Sequence, residues 1–132
     1  MYATQADLLA RFDEQELIQL TDFEKTGVLN SARLELALTD ANARLDEVLQ
    51  RYLPLARIPA DIKRMGCELA RLYLYENSQV LTEDLRKQKE TLERHLVRIQ
   101  TGELLLINES QGEAVEALIS MNSAVSVFGR DV

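Results

Sequence analysis

The stretch NSARLELALTDANARLDEVLQRYLP, residues 30–54, decides the fold. Leu34, Leu38, Ala41, Leu45, Val48 and Tyr52 recur at alternating spacings of four and three, which puts all six on one face of a helix. The seam is coiled-coil-like and runs for about six turns. Asn30 or Ser31 can cap its start. Asp40 with Arg44, and Glu47 with Arg51, stand at i,i+4 with the acid first, the stabilising order for a solvated face. Pro54 ends the helix because its ring removes a donor and crowds the preceding turn. Pro59 suits the start of the next element.

Working outward, residues 60–76 read as a further helix with Ile62, Met65, Leu69, Leu72 and Tyr73 inward. Gly66 and Ala70 on that helix let a neighbour come close. Asn77 and Ser78 break it. Thr82 then caps a fifth helix, Glu83 and Asp84 suit the dipole of its first turn, and Gly102 stands where a helix commonly ends. Leu85, Leu92, Leu96 and Ile99 form its apolar stripe, with Glu83–Lys87 and Glu90–Arg94 as i,i+4 pairs. Upstream, Thr4 and Asp7 make a capping arrangement for a short helix carrying Leu8, Leu9 and Phe12. Asp13 opens a second short helix over 14–20, with Leu17, Ile18 and Leu20 inward. Residues 21–28 form a loop. The expected fold is all-α: about five helices in a small bundle, two short and three longer. Residues 1–102 make the helical domain. Residues 103–107 read as a short strand or extended segment, 113–119 allow two helical turns, and 120–132 have no helical period, so residues 103–132 are expected to be a partly extended C-terminal arm, ordered on assembly.

Composition agrees with a single globular domain. Gly and Pro are scarce (five and two), so little interrupts the helices, and aromatics are 5%, so the core must be aliphatic. The net charge is −7, and residues 103–132 hold five acids against one base, which opposes polyanion binding by the chain as a whole. Cys67 has no partner for a disulfide, and the N-terminus has neither a basic n-region nor an apolar h-region. No apolar run approaches the ~20 residues of a membrane span. The expected compartment is the cytoplasm of the cell that makes the protein.

Candidate chemistry is sparse. Residues 22–30 place oxygen-bearing side chains at positions one, three, five and nine of an EF-hand-like loop, with Gly27 at six. Arg33 then occupies position twelve, where a bidentate Glu should close the cage, so the loop reads as a structural turn before it reads as a weak metal site. His95 is the only histidine, flanked by Arg94 and Arg98, and lacks the partners that catalysis needs. Cys67 lies within an apolar helix without a base beside it, which suits packing. Arg86, Lys87, Lys89, Arg94 and Arg98 give the fifth helix a basic side, either solvated or facing an acidic partner or passing DNA. Arg57, Lys63 and Arg64 form a smaller cluster. No phosphate loop, nucleophile elbow or catalytic acid pair is present, so no enzyme and no cofactor is expected.

Several motifs in order carry a family resemblance. Met1-Tyr2-Ala3-Thr4, Ala6-Asp7-Leu8, Arg11-Phe12 and Glu16-Leu17-Ile18-Gln19-Leu20-Thr21-Asp22 resemble the opening of Mu-like phage head–tail connector proteins. Tyr52-Leu53-Pro54-Leu55 with Ile58-Pro59, then Cys67 with Ala70-Arg71 and Leu74-Tyr75, are similar to the family's middle. Val127-Phe128-Gly129-Arg130-Asp131 resembles its close. The family's loop after Leu-Thr-Asp is often Asp-rich, and here Phe23, Lys25 and Arg33 depart from that pattern. The resemblance implies a structural neck protein in the virion, cytoplasmic before assembly. It would dock on the portal, contact tail-side neck proteins and form a homo-oligomeric ring through which DNA passes without specific binding. It also implies that the arm meets the portal or a neighbour through Val125, Val127, Phe128 and Arg130. A small helical regulatory module that binds one protein partner is the competing expectation, ahead of a DNA-binding regulator or an enzyme.

Overall fold

A computed structural model describes residues 1–103, and among these every regular element is helical. The order is α1 (Gln5–Arg11), α2 (Glu14–Thr21), α3 (Ser31–Val48), a 3-10 turn over Gln50–Tyr52, α4 (Ala60–Asn77) and α5 (Glu83–Thr101). Each start has a local cause. Thr4 and Asp7 close a reciprocal capping box on α1, Asp13 caps α2, Asn30 caps α3 through the Arg33 amide, and Thr82 caps α5. Proline 59 precedes α4, which has no side-chain cap. Gly102 ends α5 at φ +85, donating its amide to the Ile99 carbonyl at 3.1 Å. Gln79 takes the same left-handed role after α4, so that the Val80 amide reaches back to the Tyr75 carbonyl.

The α3 seam is the core. Leu34, Leu38, Ala41, Leu45 and Val48 are fully buried, joined by Ile62, Met65, Leu69, Ala70, Leu72 and Leu74 of α4 and by Leu92, Leu96 and Ile99 of α5. Gly66 is a point of close approach between α3 and α4. A Cβ at that position would stand 2.9 Å from Leu45 Cδ1 and 3.2 Å from the Ala3 Cβ, so only glycine fits without displacement. The seam's last member, Tyr52, lies beyond the α-helix in the 3-10 turn and is half-buried. Its hydroxyl donates to the Ile99 carbonyl at 3.1 Å, tying the end of α5 to the end of α3.

A feature that periodicity does not anticipate is the burial of the N-terminal segment. Tyr2 and Ala3 pack into the core, bracketed by the buried Asn42 of α3. The Asn42 Oδ1 accepts from the Tyr2 and Ala3 amides (2.7 and 3.0 Å), while Nδ2 donates to the carbonyls of Ala3 and Leu38 (3.0 and 2.8 Å). All four bonding positions of the amide are filled, which is what a buried polar side chain requires. The Tyr2 hydroxyl donates to Asp46 at 2.6 Å, and burial together with that carboxylate pushes its pKa up to about 12.

A second fastening joins α2 to α4. Arg71 grips Glu16 with contacts of 2.7–3.2 Å, the Tyr75 hydroxyl donates to the same carboxylate, and the guanidinium lies over the rings of Phe12 and Tyr75 at 5.1 and 5.2 Å. Burial pushes the Glu16 carboxyl up, but hydrogen bonds from Arg71 and Tyr75 outweigh it and hold the group below its ordinary range.

The ion pairs differ from those expected on helix surfaces. Arg44 turns away from Asp40 and bridges Glu47 and, across to α5, Glu93 at 2.9 Å. Glu83 pairs with Arg86 in place of Lys87. Leu9 was expected inward but is 39% exposed, because one short helical face can bury only one turn's worth of side chains, here Leu8. Among the described residues no helix is long and apolar enough to cross a membrane.

Substitutions at two positions test this packing. Gly66→Val forces a branched side chain against Leu45 and Ala3, and urea unfolding should show a loss of about 1–3 kcal/mol from overpacking. Gly66→Ala should cost less, because alanine's helix preference returns up to about 1 kcal/mol. Glu16→Gln should cost about 1–2 kcal/mol at neutral pH. A depressed folded pKa contributes stability that is present above the unfolded value, near 4.5, and is lost as pH falls through the folded value. The gap between wild type and Glu16→Gln should therefore close on acidification below about 4.5. A gap that stays constant down to strong acid would show that the ionised carboxylate is not what matters.

Candidate functional site

The residues that could carry chemistry lie apart. His95 is half-buried on α5 and helps line an open groove of about 520 Å³ between α4 and α5, with Phe12, Arg64, Lys87 and Asp84 around it. Cys67 is fully buried on α4, and burial pushes its thiol up, away from the reactive thiolate. Among the described residues, no three His, Cys, Asp or Glu side chains come together as a metal cluster.

The EF-hand-like loop is closed by its own backbone. Asp22 Oδ1 accepts from the Thr26 amide (2.8 Å) and hydroxyl (2.9 Å), and Oδ2 accepts from the Gly27 amide (2.7 Å). Those backbone donors, Thr26 first, hold the carboxyl below its usual range. Lys25 and Gly27 supply the two left-handed residues of the turn. Asn30, at loop position nine, is committed to capping α3, and Arg33 lies over the Phe23 ring at 3.9 Å. Asp22 and Asn30 thus fold the turn and start the next helix.

The basic residues of α5 border two grooves. Lys87 lines the groove beside His95. Arg86, Lys89, Arg94 and Arg98 border a second groove of about 880 Å³, whose apolar members are Leu81 and the exposed Val97. Several of these cations are matched by carboxylates: Arg86 by Glu83, Lys89 by Glu76 at 2.8 Å, and Arg98 by Glu103 at 3.4 Å. Lys63 likewise meets Asp7 at 3.5 Å, and Arg64 meets Glu68 at 3.1 Å. The result is a surface of mixed charge. Val125, Val127, Phe128 and Arg130, and the arm beginning at residue 103 apart from Glu103 itself, lie outside the described residues.

A surface that pattern reading missed lies at the turn between α3 and α4. Met1, Tyr2, Leu53, Pro54, Leu55 and Ile58 line a continuous apolar concavity, in which Met1 is 68%, Leu53 43% and Ile58 39% exposed. The signal was available: Tyr52-Leu53-Pro54-Leu55 and Ile58 are apolar residues in a loop, where solvation favours polar ones. The Leu53–Pro54 peptide is cis.

Comparison with known proteins shows the family. The family model described as "Bacteriophage Mu, Gp36" matches residues 2–125. The Mu-like prophage FluMu protein gp36 of Haemophilus influenzae is 33% identical, over 99% of this chain and 94% of its own length. Gene product J of Escherichia phage Mu is also 33% identical, over 98% of this chain and 94% of its own. On matches that run nearly end to end, this chain is a phage protein and belongs to the bacteriophage Mu Gp36 family.

Proposed function

We propose that the chain is a structural neck protein, a head–tail connector that docks on the portal and assembles into a ring joining the DNA-filled head to the tail. The observation that carries this reading is where the family-like motifs fall in the fold. Tyr2 and Ala3 are the segment bracketed by Asn42. Phe12, Glu16, Arg71 and Tyr75 are the cluster that fastens α1 and α2 to α4. The resemblance thus lies in the residues that hold the shape, which supports a protein that works by its surfaces and not by chemistry.

On this reading the described bundle is the rigid body of each subunit, and the basic border of α5 is a candidate contact with a neighbour. Val125, Val127, Phe128 and Arg130 would supply the contacts with the portal or the next copy. If residues 103–132 order only on docking, the entropy of that ordering makes free copies poor at assembling and lets the portal act as template. The net charge of −7 suits a ring that DNA must cross, since a surface short of free cations releases few counterions and does not hold the phosphates. No catalytic role and no cofactor belongs to this reading.

Electron microscopy of lysates from a phage or prophage lacking this gene tests it. DNA-filled or leaking heads beside finished, unattached tails, with infectivity restored by the gene in trans, is the expected result. Normal infectious particles would overturn it and leave the small regulatory, partner-binding module as the reading to pursue.

A further inference from the structure

Two apolar surfaces of the bundle fall at opposite ends of α3. Beyond its C-terminus lies the concavity of Met1, Tyr2, Leu53, Pro54, Leu55 and Ile58. Before its N-terminus, the loop joining α2 to α3 is exposed from residue 23 to residue 28, with Phe23 44% and Val28 62% exposed. That loop is held in one shape: the Asp22 carboxylate accepts from the Thr26 and Gly27 amides, and Arg33 lies over the Phe23 ring at 3.9 Å. An apolar loop fixed before docking loses little entropy on contact.

We propose that the loop at residues 23–28 of one copy docks in the α3–α4 concavity of the next, so that Phe23 and Val28 meet Leu53, Leu55 and Ile58. The inference rests on the ring reading and names the contact between its subunits. Burial favours it, because each surface removes the other's exposed apolar groups from water. Charge favours it too: residues 22–30 carry Asp22 and Glu24 against Lys25, while residues 51–58 carry Arg51 and Arg57 and no acid. The occupant is a second copy, because the 18 residues of α3 hold a chain's own loop about 27 Å from its own concavity. The two surfaces differ, so the contact is heterologous. Each copy gives its loop to one neighbour and its concavity to the other, and when the rotation closes the result is a ring with neither surface left open.

Cys67 is the one cysteine of the chain and is fully buried, so thiols introduced by Val28→Cys and Ile58→Cys are the reactive ones. Phage particles assembled with this double variant in place of the native chain, treated with a short bis-maleimide, should give a ladder of covalent multimers on denaturing gels. Particles carrying either single variant should give monomer alone. Particles that hold the double variant but yield only monomer would overturn this interface and leave the ring reading standing. Dimers from Val28→Cys alone, or from Ile58→Cys alone, would also overturn it, by showing a symmetric pair. Absence of the native chain from wild-type particles would overturn both the ring reading and the interface. If the first pair blocks assembly, Phe23→Cys with Leu53→Cys gives the same readout across the same contact.

Discussion

The close approach of α3 and α4 at Gly66 is the constraint from which the rest of the structure follows. With Leu45 and the Ala3 methyl against the backbone of α4, the two long helices bring their aliphatic faces together along most of their length. Tyr2 and Ala3 lie against both, their amides bonded to Asn42 of α3 and the Ala3 methyl facing Gly66 of α4. Their amides cannot reach water or a helical partner there, so a hydrogen-bonding side chain must come from the helix wall. Asn42 provides one, satisfying three backbone groups of that segment at once. Leaving such groups unpaired costs on the order of 1–3 kcal/mol each, so the asparagine amid apolar neighbours is a requirement of the packing.

Much of this was legible in the sequence because it is periodic or local. The α3 seam, the inward face of α4 and the stripe of α5 follow from spacing, and Thr4, Asp13, Thr82 and Gly102 act where local chemistry places them. Asn42 was not legible, since it falls between the seam positions Ala41 and Leu45 and its partners lie at the far N-terminus. Tyr2 was not either: a terminus has no periodicity, and its burial depends on a gap that two distant helices define. The long-range ion pairs escaped for a related reason. Spacing along one helix offers Arg44 only Asp40 and Glu47, whereas packing brings Glu93 to it from another helix. The α3 helix also ends earlier than its seam, because the chain tightens into a 3-10 turn that lets Tyr52 reach α5.

The site-level expectations divide along the same line. The loop at residues 22–30 has the composition of a cation site, but its geometry spends Asp22 and Asn30 on the turn and the helix cap. The basic residues of α5 look like a stripe in sequence, yet Lys87 lines one groove while Arg86, Lys89, Arg94 and Arg98 border another. Apolar exposure, by contrast, includes a cluster at the α3–α4 turn, where no helical pattern draws attention. A body fastened by Asn42 and by the Glu16–Arg71–Tyr75 cluster keeps these surfaces in fixed relation, which is what a subunit needs if copies are to repeat the same contact around a ring.

The proposed role makes the chain a component of the particle and not merely a product of the infected cell. Quantitative mass spectrometry of purified virions, and of tail-free DNA-filled heads from a phage carrying this gene, measures that directly. The account predicts several copies of the chain per particle in both, in a constant ratio to the portal protein. Its absence from both particles, with the protein abundant in the lysate, would contradict the account.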